Sequence, residues 1–168
     1  MNWSAFHILR EAIHRSAVSN PKRGNNMEVN PVIPAIPQAT PEDIQAITET
    51  CRDYTEGWFT ANEERMRHSL HPELVKRGIK FWQKRGKLDL GEVLSAKEMV
   101  NFTKEGGGSN APETEKTFEV TVLDVFRHIA TAKVSSYPYM DYLQLAKIDG
   151  QWLIVNGLYE PRLGQEII

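Results

Sequence analysis

Four β-like runs fill the chain from Lys116 to Tyr159: TFEVTVLDVF, IATAKVSS, YMDYLQLAKI and, across Asp149-Gly150, QWLIVNGLYE. Val, Thr, Phe, Tyr and Ile recur at alternate positions and short polar links join the runs, which predicts an antiparallel meander. Two apolar-striped helices precede it. Helices first and a long curved sheet last predict an α+β domain whose helices close one face of the sheet.

The first helix is expected from Thr40, a natural N-cap, with Pro41 at the first helical position and Asp43 three residues past the cap. Ile44, Ile47, Cys51, Tyr54 and Trp58 follow at helical spacing as one apolar stripe, and Gly57 interrupts near the end. Asn62 caps a second helix, EERMRHSL, with Met66 and Leu70 on one face, and His71-Pro72 stops it. Glu73 to Trp82 reads as a first strand or as a strand leading into a short turn. A third helix begins at Ser95, where Ser-Ala-Lys-Glu forms a capping box with Glu98, and runs through Met99, Val100 and Phe102. The glycine-rich GGGSNAPE stretch reads as a flexible loop, because the Gly-Lys-Ser/Thr of a phosphate cradle is missing.

Residues 1–40 differ from the rest. SNPKRGNNMEVNPVIPAIPQATP holds five prolines and no aromatic residue, which predicts an extended, poorly ordered lead-in. Ahead of it Trp3, Phe6, Ile13 and Ala17 share a helical face; this segment is either a targeting segment or an upstream extension before Met27. The domain is expected over 41–160, with a tail over 161–168. Beyond Thr40 there are 16 basic and 20 acidic residues and no basic stripe, which argues against a nucleic-acid partner. No apolar run reaches the roughly 20 residues that span a bilayer, so no membrane partner is expected. The single cysteine, Cys51, fits a reducing, cytoplasmic setting. Both faces of the last strand are apolar, Trp152, Ile154 and Leu158 on one and Leu153, Val155 and Tyr159 on the other; a second copy of the chain is the expected cover.

An ordered set of motifs carries a family resemblance. Tyr54-x-x-Gly57-Trp58 is followed by Leu70-His71-Pro72-Glu73-Leu74, the capped Ser95-Ala96-Lys97-Glu98-Met99, and Ala130-Thr131-Ala132-Lys133-Val134. Asp141-Tyr142-Leu143-x-Leu145 then leads to Lys147-x-Asp149-Gly150-x-Trp152-x-Ile154-Val155-Asn156. Over about residues 41–160 the chain resembles the lumazine-binding-like family of the nuclear transport factor 2-like superfamily. The resemblance implies an α+β cone, a strongly bent antiparallel sheet wrapped around about three helices, usually dimeric through the sheet's outer face. Isomerases, cyclases, dehydratases and epoxide hydrolases share the superfamily with non-catalytic binding subunits, so the fold does not choose among them. No cofactor is expected, and no motif marks a pteridine or flavin site.

Asp141 is the first candidate for chemistry. It shares a strand face with Leu143 and Leu145, where a partly desolvated carboxylate suits a general base; alternatively it accepts backbone hydrogen bonds near Tyr137-Pro138 and fixes the hairpin. Asp124 is placed at a strand bulge instead. His71, expected near the cone's rim, is either an acid–base group or a helix-terminal histidine. His68-x-x-His71 with Glu63, Glu64 and Glu73 matches no metal template, so no metal site is expected. Tyr54, Trp58, Phe102, Tyr142 and Tyr159 are the candidate aromatic walls, with Leu143 beside Asp141. A buried phenol needs a partner, and Tyr54 meeting Asp141 would supply one. The expected partner is a small hydrophobic or aromatic molecule. Two readings stay open: a binding or accessory protein, and a cofactor-independent isomerase, dehydratase or cyclase using Asp141 with Tyr54 or His71.

Overall fold

The computed structural model describes residues 39–82 and 86–162; the expectations for the lead-in and most of the tail lie outside them. Helix α1 (Pro41–Thr60) starts where Thr40 Oγ1 accepts the Asp43 amide at 3.2 Å. Ile47, Cys51 and Tyr54 of its stripe are buried, while Ile44, one turn earlier, is exposed. Gly57 does not interrupt the helix. Its bare Cα lets the next helix approach, since an added Cβ would lie 3.0 Å from the Met66 amide nitrogen. The helix ends instead at Ala61, which takes the left-handed conformation (φ 54°) and bonds back to the Gly57 carbonyl.

Helix α2 (Glu63–Ser69), capped by Asn62, runs directly into strand β1 (Leu70–Trp82). Pro72 therefore lies within the strand, in the irregular stretch between Leu70 and Val75 where the ladder shifts register. Strand β2 (Lys87–Leu90), which the sequence did not announce, pairs antiparallel with the end of β1. Helix α3 (Ala96–Lys104) carries the full capping box between Ser95 and Glu98. A short 3-10 turn (Glu113–Glu115) leads to the meander β3 (Phe118–Phe126), β4 (Ile129–Ser136), β5 (Tyr139–Ile148) and β6 (Gln151–Pro161).

The six strands form one open sheet in the order β2-β1-β6-β5-β4-β3. Its meander is antiparallel as expected, but β1 joins β6 in parallel, so the sheet is mixed. The inner face packs Ala132, Val134, Leu143, Leu145, Trp152 and Ile154 against the helices' Ile47, Cys51, Met66, Met99 and Val100. This is the α+β cone, three helices and a curved, unclosed sheet.

Bulges decide which side chains enter the cone. On β3, Val122 pairs with Ala132 and Asp124 with Thr131, which leaves Leu123 as the extra residue and puts exposed Asp124 beside the bulge. On β6, Asn156 faces Gln144 and Ile154 faces Leu145, so Val155 is unpaired across the ladder. One inserted residue reverses the alternation. The expected parity therefore holds only up to Val155: beyond it Gly157 and Tyr159 point inward, and Leu158, placed on the inner face by simple alternation, is exposed.

Candidate functional site

Lys76 and Asp141 are the only buried charged side chains among the described residues, at 5 % and 2 % exposure. Lys76 Nζ lies 2.8 Å from Asp141 Oδ1. The Tyr54 hydroxyl donates to the same carboxylate oxygen at 3.3 Å and accepts a hydrogen bond from the Lys76 ammonium. Each member comes from a different element. Tyr54 lies on the α1 stripe, Asp141 on the inner face of β5, and Lys76 alternates inward on β1 between Leu74 and Gly78.

The parallel β1–β6 pairing explains how a lysine reaches the interior. Lys76 is opposite Gly157 and Gly78 is opposite Tyr159. The lysine stem runs over Gly157, where an added Cβ would sit 3.1 Å from its Cγ, and the Tyr159 ring covers Gly78, where a Cβ would meet the ring at 2.5 Å. Two long side chains thus lie side by side because each faces a glycine. The Lys76 ammonium sits 4.2 Å from the Tyr159 ring centroid and 5.1 Å from that of Tyr54, within cation–π range. On the other edge of β1 its backbone exchanges both hydrogen bonds with Leu94, at 2.9 and 2.8 Å.

The triad forms the floor of a cavity of about 200 Å³. Tyr54, Trp58, Phe102, Tyr139 and Tyr159 supply the aromatic wall, and Leu94 and Met99 the aliphatic part. Thr55 and Ser136 are its remaining polar residues. Tyr139 and Tyr159 meet edge to face at 5.4 Å. Phe102, 44 % exposed, marks the open end, whereas Tyr54, Thr55, Lys76, Ser136 and Asp141 are buried. The cavity is therefore apolar at its entrance and polar at its floor. Burial, reinforced by the Asp141 charge, raises the Tyr54 phenol well above its ordinary pKa and keeps it a neutral donor. The same causes push the Cys51 thiol up to about 12, so it packs as an inert group. Burial also raises the Tyr159 phenol, with the Lys76 charge acting against it.

The structure brings together Asp141, Tyr54, Trp58, Phe102 and Tyr159 of the candidates, and leaves three apart. Leu143 is fully buried core below the cavity, and Tyr142 lies on the outer sheet face, 51 % exposed. His71 does not line the cavity; its Nδ1 accepts the Glu73 amide at 3.1 Å at the start of β1. His68 turns to Asp53 and Gln151. Asp141 meets Tyr54, its expected partner, and also Lys76, so the carboxylate is held by a phenol and a cation at the cavity floor.

The sequence reading missed Lys76, for which the only signal was its parity with Leu74 and Gly78. It also missed the glycine triplet, which is no slack loop. Gly108 donates to the Trp58 carbonyl at 3.0 Å, and a Cβ there would lie 2.6 Å from the indole nitrogen. The triplet thus seats against the Trp58 wall of the cavity.

Solved structures share this architecture. The chain is similar to an NTF2-like protein of unknown function from Silicibacter pomeroyi DSS-3, with a TM-score of 0.57 and 18 % identity over 74 % of this chain and 100 % of that one. A second NTF2-like protein of unknown function, from Shewanella baltica OS155, has a TM-score of 0.53 and 18 % identity over 73 % and 96 % of the two chains. A cystatin-like-fold protein of unknown function from Nostoc punctiforme PCC 73102 has a TM-score of 0.53 and 13 % identity over 78 % and 99 %. These likenesses establish the fold. No curated protein matches the sequence. The family model described as "Putative lumazine-binding" matches residues 42–160, nearly the whole span from α1 to β6, and the chain, with its NTF2-like fold, belongs to that family.

Proposed function

We propose that this protein binds a small, flat, uncharged aromatic or heteroaromatic molecule in the cone. The observation that carries the reading is the polarity of the cavity, an aromatic entrance above a closed Lys76–Asp141 pair. An ion pair offers a donor and an acceptor side by side with little net charge, which matches an amide-like ring edge better than a free cation or anion. The ring named in the family's description carries such edges. At about 200 Å³ the space suits one or two rings, below the roughly 300–1,000 Å³ of drug-sized sites.

Native mass spectrometry of freshly purified protein tests this. A retained small molecule is expected, and it should be lost when Lys76→Met and Asp141→Leu are combined. Protein that carries no extra mass, and whose melting temperature is unmoved by a panel of one- and two-ring uncharged aromatics including lumazine, would end the reading. The Tyr54–Asp141 contact gives one support to a catalytic alternative, in which the carboxylate moves a proton. However, Lys76 holds the same oxygen.

We further propose that a second copy covers the outer sheet face. There Phe126, Ile129, Ala146 and Leu153 form an apolar row across four strands, linked pair by pair in register. Tyr142 and Leu158 form a second apolar pair, and Ile129 is 60 % exposed. Sedimentation at micromolar concentration should give a dimer, and Leu153→Glu a monomer; a monomeric unmodified protein sinks the proposal. The buried Cys51 thiol suits a reducing, cytoplasmic setting. Among the described residues no helix is long and apolar enough to cross a membrane.

A further inference from the structure

The cavity floor presents a primary amine to whatever occupies the cone, and we propose that Lys76 forms an imine with small uncharged aldehydes or ketones. This rests on the binding reading above, because the carbonyl compound must first occupy the same space. Three observations lead to it. First, Lys76 lines the cavity and is held rigidly, with its stem over Gly157, its backbone tied to Leu94 and its ammonium fixed by Asp141 and Tyr54. Second, a buried ion pair is seldom the most stable way to fill a core, since apolar side chains of like volume usually do as well or better. Placing one at the end of an aromatic cavity therefore points to chemistry. Third, no better nucleophile is at hand, because the Cys51 thiol is core packing and does not line the cavity.

The step balances within the triad. The Lys76 ammonium passes one proton to Asp141, 2.8 Å away. The free amine adds to the carbonyl carbon as the C=O π bond opens, and one proton moves from the nitrogen to the new alkoxide oxygen to give a neutral carbinolamine. Asp141 returns the proton to the carbinolamine hydroxyl, which leaves as water while the C=N bond forms. Lysine ammonium plus carbonyl compound thus becomes protonated imine plus water, with no oxidant, no reductant and no change in charge. Asp141 ends as the carboxylate facing the iminium, so the buried pair persists. The Tyr54 hydroxyl, which donates to Asp141, holds that carboxyl group in place through the step.

The experiment treats the unmodified protein with benzaldehyde and sodium cyanoborohydride, which fixes an imine as a secondary amine, and maps the benzyl group by peptide mass spectrometry. Lys76 should be labelled about tenfold or more faster than the mean of the exposed lysines, as expected for an amine preorganised beside a bound carbonyl. Benzamide, which has the same ring but forms no imine, should slow that labelling and raise the melting temperature. Lys76→Arg, which keeps the cation, should lose the fast label; if that variant fails to fold, mapping on the unmodified chain decides. If benzamide raises the melting temperature but Lys76 reacts no faster than exposed lysines, the imine proposal is overturned and the binding reading stands. If benzamide has no effect and Lys76 stays unlabelled, the imine proposal is overturned, and the retained mass and the aromatic panel decide the binding reading.

Discussion

Two lysine–aspartate pairs that look alike on paper lie where helix α1 meets the sheet. At its first turn Asp43 Oδ1 accepts Lys147 Nζ at 2.8 Å and the Trp152 indole N–H at 2.9 Å. Farther along, Tyr54 joins the Lys76–Asp141 pair, also at 2.8 Å. Both have one carboxylate oxygen shared by a lysine and an aromatic donor. They differ in their surroundings: the side chains of the first pair are 33 % and 17 % exposed, those of the second 6 % and 3 %. Water solvates the first pair whenever it opens, so that pair acts as a tether. The second has no such alternative, so every change to it leaves a charge stranded or a cavity altered. The same chemistry serves attachment in one place and lines the candidate site in the other.

The largest expected effect comes from breaking the buried pair on one side only. Asp141→Ala strands the Lys76 ammonium and should cost about 3–5 kcal/mol in urea unfolding. Combining Lys76→Met with Asp141→Leu should restore most of that loss while abolishing ligand retention. A double variant as unstable as the single would show that the pair is scaffold rather than site. Next in size is Gly78→Ala, which drives a methyl against the Tyr159 ring and should cost roughly 1–3 kcal/mol by overpacking. Tyr159→Ala added to it should relieve the clash; non-additivity in a double-mutant cycle is the check.

The smallest effect belongs to the half-buried Asp43–Lys147 pair. Lys147 and Trp152 hold the Asp43 carboxyl below its ordinary value of 3.8. A depressed carboxylate contributes stability above its unfolded pKa and loses it as pH falls through the folded value. Asp43→Asn should therefore change little below that range and lower the melting temperature modestly near neutrality, so that the slope between about pH 5 and the acid limb flattens. An unchanged slope would show that the tether is dispensable.

Much of this was legible in the chain. Thr40 and Ser95 announced their helices because a cap is a local event, readable within four residues. Asp141 stood out because an acidic residue in phase with Leu143 and Leu145 breaks an otherwise apolar face. Tyr54 followed from the α1 stripe. What stayed hidden depended on distant partners. Lys76 reads as an ordinary solvent-facing strand residue until Gly157, more than 80 residues away, is seen to make room for it. Tyr159 was a candidate wall residue, but simple alternation puts it on the face opposite Trp152 and Ile154, and only the unpaired Val155 turns it inward. The Gly106–Gly108 run reads as slack until Trp58 is placed beneath it. His71 misled because proline after a helix suggests a stop at the rim, whereas the chain continues straight into β1.

The parallel union of β1 with β6 has a consequence for how the protein is made. A ribosome delivers β1 early and β6 last, so Lys76 spends most of synthesis without the strand that shelters it. Helices α1 and α2 can pair as they emerge, and the β3–β5 meander can close through neighbouring turns. The cone cannot acquire its floor until the final strand is released and threads between β1 and β5. A nascent chain stalled before Gln151 would hold Tyr54 and Asp141 but lack Gly157 and Tyr159, and would have no working pocket. The Lys76–Gly157 and Gly78–Tyr159 packing can therefore form only after β6 has joined the sheet.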